Sequence, residues 1–196
     1  SGYGLAGVAI AAFVIAFGIR SATSHQADLD LYSPRIETVV VTESEWRSSL
    51  WRALPSRRQD LRQLDQLPMT LQYAGARADL AAVLEEKGWE RGMPLSWGNL
   101  IRLLSPSLPL QELPVIPHVH DGRHESLTLV KRMPDDGRMV LRLWPTRYLV
   151  GDARAPLWVG NITAQEKRTI LDMVALPTTV AHRPVASISE DLSPLH

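Results

Sequence analysis

Three histidines, His118, His120 and His124, stand close together with Asp121, Arg123 and Glu125 among and beside them. Side chains of these types at this spacing allow several kinds of chemistry. In an extended chain His118 and His120 share one face and offer two imidazoles to a metal, with Glu125 or His124 as a third ligand. His120 backed by Asp121 or Glu125 has the parts of a general base. Arg123 with the histidines is suited to an anion or phosphate. The simplest reading is structural: a polar turn with Asp121-Gly122 at its tip and the imidazoles solvated or hydrogen-bonded. A second group follows at Arg142 and Trp144. Alternation puts them on one face with Val140, while Met139, Leu141 and Leu143 take the other. There Arg142 either stacks on the tryptophan and binds a phosphate or carboxylate, or is an exposed strand arginine whose stem covers apolar surface. The candidate ligand-binding residues are therefore His118, His120, Asp121, Arg123, His124, Glu125, Arg142 and Trp144. None is assigned a catalytic role, and no metal or cofactor is expected.

Other signatures are missing. The chain has no cysteine, which excludes a thiol nucleophile, a disulfide scaffold and a Cys-ligated zinc. There is no Gly-rich phosphate loop, no Gly-x-Ser-x-Gly elbow and no His-Glu-x-x-His helix. Basic and acidic residues balance at 21 each, so nothing resembles the footprint of a nucleic-acid partner.

The segments that must position these residues read as an α+β fold. Residues 36–42 are β-branched and strand-like, and Thr42 with Glu45 forms a capping box for a helix from Glu43 to about Ala53. Arg57 to Gln66 is charged and Gln-rich, an expected exposed loop. Met69 to Ala74 alternates as a strand. Arg77 to Lys87 is an amphipathic helix with Leu80, Val83 and Leu84 inward, Gly88 as its left-handed C-cap and Trp89 folding back. A short helix spans about Ser96 to Leu104, and the proline-rich stretch from Ser105 to Pro117 is an extended connection. Ser126 to Arg132 and Arg138 to Trp144 make a hairpin, with Gly137 expected to take positive φ. Leu157 to Gly160 is a third strand. Thr163 with Glu166 looks like a second capping box, opening a helix to about Ala175. A last strand over Pro184 to Ile188 precedes a tail, residues 191–196, expected to fray. Trp89, Trp144 and Trp158 read as packing residues.

Ahead of these elements lies Gly2 to Ile19, which holds no charged residue. Eighteen helical residues cover about 27 Å, close to the hydrocarbon thickness of a bilayer. A secretory signal would carry a basic start and a shorter apolar core. A buried helix would need protein on every side. Residues 1–20 are therefore expected to be a transmembrane helix inserted in the lipid bilayer, and residues 21–35 a juxtamembrane linker. The soluble domain is expected over residues 36–190. The opening Ser1 leads to the expectation of a longer protein upstream. Arg20 and Arg35, offset by Asp28 and Asp30, favour a cytoplasmic soluble domain.

Three stretches taken in order resemble one family: Leu71-Gln-Tyr-Ala-Gly75 running through a helix to Lys87-Gly-Trp89; Val119-His-Asp-Gly-Arg-His-Glu125; and Arg142-Leu-Trp-Pro145 followed by Pro156-Leu-Trp-Val-Gly160. Over roughly Val39 to Ala175 this pattern is similar to the LssY C-terminal domain. The resemblance implies a domain that often follows a membrane-embedded type-2 phosphatidic acid phosphatase unit, itself often fused behind a DedA-type unit. Residues 2–19 would then be the last transmembrane helix of that unit, in a bacterial inner membrane, and the upstream unit would be the domain's partner. The phosphatase signatures Lys-x6-Arg-Pro, Pro-Ser-Gly-His and Ser-Arg-x5-His-x3-Asp do not occur in the chain, so no catalytic residue carries over. The expected function is a non-catalytic accessory or regulatory domain that binds a partner or anionic headgroup. Two alternatives stay open: a hydrolase that uses the His118–His124 segment to bind metal or phosphate, and a single-span sensor.

Overall fold

A computed structural model describes residues 37–58, 67–105, 107–134, 136–170 and 174–195. The expected transmembrane helix and linker lie outside these residues. Among the described residues no helix is long and apolar enough to cross a membrane.

The frame is a mainly antiparallel seven-stranded sheet with few helices, an α+β fold. Its centre is β7 (Arg138–Val150) paired along its length with β8 (Ala155–Ile170). On the far side of β7 lie β6 (Leu127–Arg132), antiparallel, and β1 (Val39–Val41), parallel. β3 (Glu90–Arg91) continues the sheet beyond β6. The other edge of β8 has two partners in succession. β2 (Leu71–Ala74) pairs with it up to Gly160, and β9 (Val174–Arg183) takes over from Ile162. A separate hairpin, β4 (Val119–His120) with β5 (Arg123–His124), stands apart from this sheet.

Helix α1 starts at Glu43 under the expected capping box: the Glu45 amide donates to Thr42 Oγ1 and the Thr42 amide to Glu45 Oε2. It passes through a π-helical Trp46–Leu50 and ends at Ala53, before Pro55. Helix α2 (Arg77–Glu86) buries Leu80, Ala81 and Leu84, and ends on Gly88 at φ 83°. Trp89 folds back as expected and donates its indole N–H to Asp191. The short helix α3 (Trp97–Leu100) runs on into a 3-10 turn.

Both faces of the sheet are covered. On one, Leu127, Leu129, Leu141, Leu143 and Ile162 pack under α2, Trp89 and the C-terminal turns. Each such side chain stabilises the fold by about 2 kcal/mol when fully buried. On the other, Trp144, Leu157 and Val159 pack under α1, while Leu103, Leu110 and Leu113 form a cluster with Ala175 of β9. Between those two apolar clusters lies a polar strip that carries the candidate site.

Thr163 does not cap a helix, because β8 continues through it to Ile170. The residues that mimic a capping box are locally ambiguous. Pairing to β7 on one edge and β9 on the other supplies backbone partners that a helix there would forfeit. The C-terminal segment is reversed in kind: the strand is β9, while Val185–Ile188 is a 3-10 turn after Pro184. Among the described residues the tail does not fray up to Leu195, since α4 (Ser189–Leu192) and the turn after it are held by buried Leu192 and by Asp191, which accepts from Trp89 and Lys131. In the β6–β7 turn it is Asp136, at φ 57°, that takes the left-handed conformation instead of Gly137; aspartate tolerates it. In the stretch read as an exposed loop, Arg58 is buried.

Candidate functional site

Alternation along β7 and β8 builds the floor of the site. Arg138, Val140, Arg142 and Trp144 project from β7 on one face, opposite Gln165, Thr163, Asn161 and Val159 of β8. β9 adds His182 next to Thr163. Arg142, for which an exposed strand position is one of two expectations, is fully buried, because residues 110–116 and Glu125 lie over that face. Arg142 Nη1 donates to Thr163 Oγ1 at 3.3 Å and Nη2 to the Ile116 carbonyl at 3.4 Å. Its Nε lies 3.8 Å from Glu125 Oε1 and makes no hydrogen bond. Burial lowers the guanidinium to about 10, against the pull of Glu125, so it remains cationic at neutral pH. Arg138, also buried, spends its donors on the Gln165 side chain and the carbonyls of Leu110, Leu113 and Pro114.

Glu125 joins the cover to this floor. Its Oε2 accepts from the His118 amide at 2.9 Å, and its Oε1 from Thr128 Oγ1 at 3.4 Å. His118 and Glu125 flank the β4–β5 hairpin, whose turn places Asp121 at φ 50° and Gly122 at φ 73°, as a tight hairpin requires. The Val119 carbonyl accepts from Arg58 at 2.8 Å. His120 is buried edge-on against Trp144, ring centres 5.9 Å apart. Burial, with the charges of Arg142 and Arg58, holds the His118 imidazole neutral by pushing its pKa down to about 3. Burial also lowers His120 and His182.

The eight residues singled out from sequence thus separate. His118, Glu125 and Arg142 converge with the His120–Trp144 pair next to them. Asp121 and His124 sit exposed on the hairpin and Arg123 is half-buried. Among the described residues no three His, Cys, Asp or Glu side chains are grouped to hold a metal.

Sequence reasoning missed Arg138, Asn161, Thr163, Gln165 and His182, and placed Arg58 at the surface. Asn161, Thr163 and Gln165 alternate with Ile162 and Ala164, a period-2 signal masked by reading Thr163 as a helix cap. His182 carried no local signal. Asn161 sits where the neighbour of β8 changes from β2 to β9, and both polar atoms of its fully buried amide lack a partner. Trp144 Nε1, His118 Nδ1 and His182 Nδ1 are buried without a hydrogen bond as well.

Fold and site together define an α+β domain whose sheet carries a buried, cationic polar strip closed over by a small hairpin. The chain belongs to the LssY C-terminus family: the family's model matches residues 51–182, a span holding every polar side chain of that strip. Two of the stretches that carried the resemblance, β2 and Pro156–Gly160, pair with each other, Leu71 opposite Gly160. No curated protein and no solved structure matches the chain.

Proposed function

We propose that this domain is a non-catalytic accessory or regulatory module of a membrane-embedded protein of lipid-phosphatase type, and that it binds an anionic group, such as a headgroup phosphate, at Arg142. The observation that carries the reading is the Arg142 guanidinium, fully buried yet with its Nε unbonded and the Glu125 carboxylate no nearer than 3.8 Å. A buried cation so placed gains from an anion that brings it full hydrogen bonds. The β4–β5 hairpin gives a route in, because a two-stranded hairpin outside the main sheet has little stability of its own.

The hydrolase alternative is less well supported. Burial lowers His120, the candidate general base, and holds His118 down at about 3, which weakens both imidazoles as proton acceptors.

The test is calorimetric titration of the detergent-solubilised chain with a short-chain phosphatidate. Wild type binds, while the paired variant R142M/E125Q, which leaves no unpartnered buried charge, binds at least tenfold more weakly. Equal binding by both removes Arg142 from the site. Release of phosphate from the lipid would replace this reading with the hydrolase.

A further inference from the structure

Buried polar atoms are nearly always hydrogen-bonded, so a group of unpartnered ones on one surface describes what is missing there. The unpartnered atoms here are Arg142 Nε, Trp144 Nε1, both amide atoms of Asn161, His118 Nδ1 and His182 Nδ1. The register brings them together. Arg142 faces Asn161 across β7 and β8, Trp144 is one step along the same face, and Thr163, bonded to Arg142, pairs with His182. His118 lies over them, close enough that the charges of Arg142 and His182 act on it.

Their chemistry is asymmetric. Arg142 Nε, Trp144 Nε1 and Asn161 Nδ2 can only donate, so the occupant must offer several acceptor oxygens. Asn161 Oδ1 can only accept, so the occupant must also bring at least one hydrogen to donate. Glu125 Oε1, at the edge of the group, is a second pure acceptor. The two neutral imidazoles adapt to either need, each presenting Nδ1 as donor or acceptor. Sulfate fills the first requirement and fails the second, and so does a phosphodiester, whose ionised form carries no proton. A phosphate with one ester or none can fill both, because its second pKa, about 6 for an ester, lies close enough to neutral that the protonated form is available for binding near pH 7.

We propose that the site takes a phosphomonoester or free phosphate in its protonated form, and that Asn161 Oδ1 reads the proton. This deepens the anion-binding reading above and rests on it. A buried acceptor left facing an unprotonated oxygen loses its hydrogen bond and meets lone-pair repulsion, a penalty that sets selectivity more sharply than any gain from matched contacts.

The experiment is calorimetric titration of the full chain, in an uncharged detergent and at pH 7, with methyl phosphate, dimethyl phosphate and sulfate. Methyl phosphate should bind at least tenfold tighter than either rival. Dimethyl phosphate carries less charge than methyl phosphate and sulfate carries at least as much, so charge alone cannot produce that order. Inorganic phosphate and dihexanoyl phosphatidate identify the source. Equal affinity for both supports any phosphomonoester, and a tenfold preference for phosphatidate supports a lipid headgroup. Asn161→Leu should weaken methyl phosphate about tenfold and bring it level with sulfate. If that variant does not fold, the wild-type order of the three anions still decides. Sulfate or dimethyl phosphate binding as tightly as methyl phosphate overturns the proton reading and leaves the Arg142 anion site standing. Binding of none of the probes overturns both and assigns the unpartnered atoms to internal water.

Discussion

Replacing Glu125 by glutamine tests the electrostatic logic of the polar strip with the smallest change of shape. Glutamine keeps an acceptor for the His118 amide and removes the charge facing Arg142, while the NH2 that replaces Oε1 makes Thr128 Oγ1 an acceptor instead of a donor. At 3.8 Å, and with an effective dielectric constant of roughly 20, the lost attraction is about 4 kcal/mol. Arg142 has no exposed surface through which water could take over. Some relaxation toward Thr163 and the Ile116 carbonyl will recover part of the loss, so the expected destabilisation is about 3 kcal/mol. In a domain of this size that lowers the thermal midpoint by roughly 6–12 °C. Denaturation of the chain in detergent micelles, followed by near-ultraviolet circular dichroism of the buried tryptophans, reads it directly. R142M/E125Q should recover most of the loss, because an uncharged pair has no buried charge to strand. Added methyl phosphate should also raise the midpoint of E125Q more than that of wild type, since it supplies the missing counter-charge. A midpoint for E125Q within about 2 °C of wild type, with no coupling in the double variant, would refute the assignment of Glu125 as the partner of Arg142.

Gly160→Ala should cost about 3 kcal/mol, because a Cβ there would meet the Arg142 carbonyl and approach Leu143 Cδ2 to 2.7 Å. Gly98→Ala, where nothing lies within 4 Å, is the matched control, and equal urea midpoints for the two variants would contradict the packing described. For pH, His118 is held neutral down to about 3, whereas the unfolded chain protonates it near 6.5. Its contribution is therefore fully present above pH 6.5 and is lost as pH falls toward 3, with a slope approaching 1.4 kcal/mol per unit. Urea midpoints taken at pH 7, 6 and 5 should fall more steeply for wild type than for His118→Gln, and parallel curves would show that His118 is not buried in its neutral form.

Much of the fold was legible locally. The Thr42–Glu45 box, the stripe of α2 closed by Gly88 and Trp89, the Asp121-Gly122 turn and the β6–β7 hairpin each express a short-range rule of capping, periodicity or turn geometry. Alternation alone put Arg142 and Trp144 on the same face of β7. Local rules fell short where two of them competed. Thr163 and Glu166 match a helix start, and the same residues match a strand; only pairing to β7 and β9, far away in sequence or across a turn, decides between them. The site depended still more on distance. Periodicity says which side of a strand a residue faces, but not what covers that side. Whether Arg142 met water or the interior was decided when residues 110–125 closed over the sheet and His182 arrived on β9, bringing histidines, Glu125, Asn161 and two arginines into one buried strip.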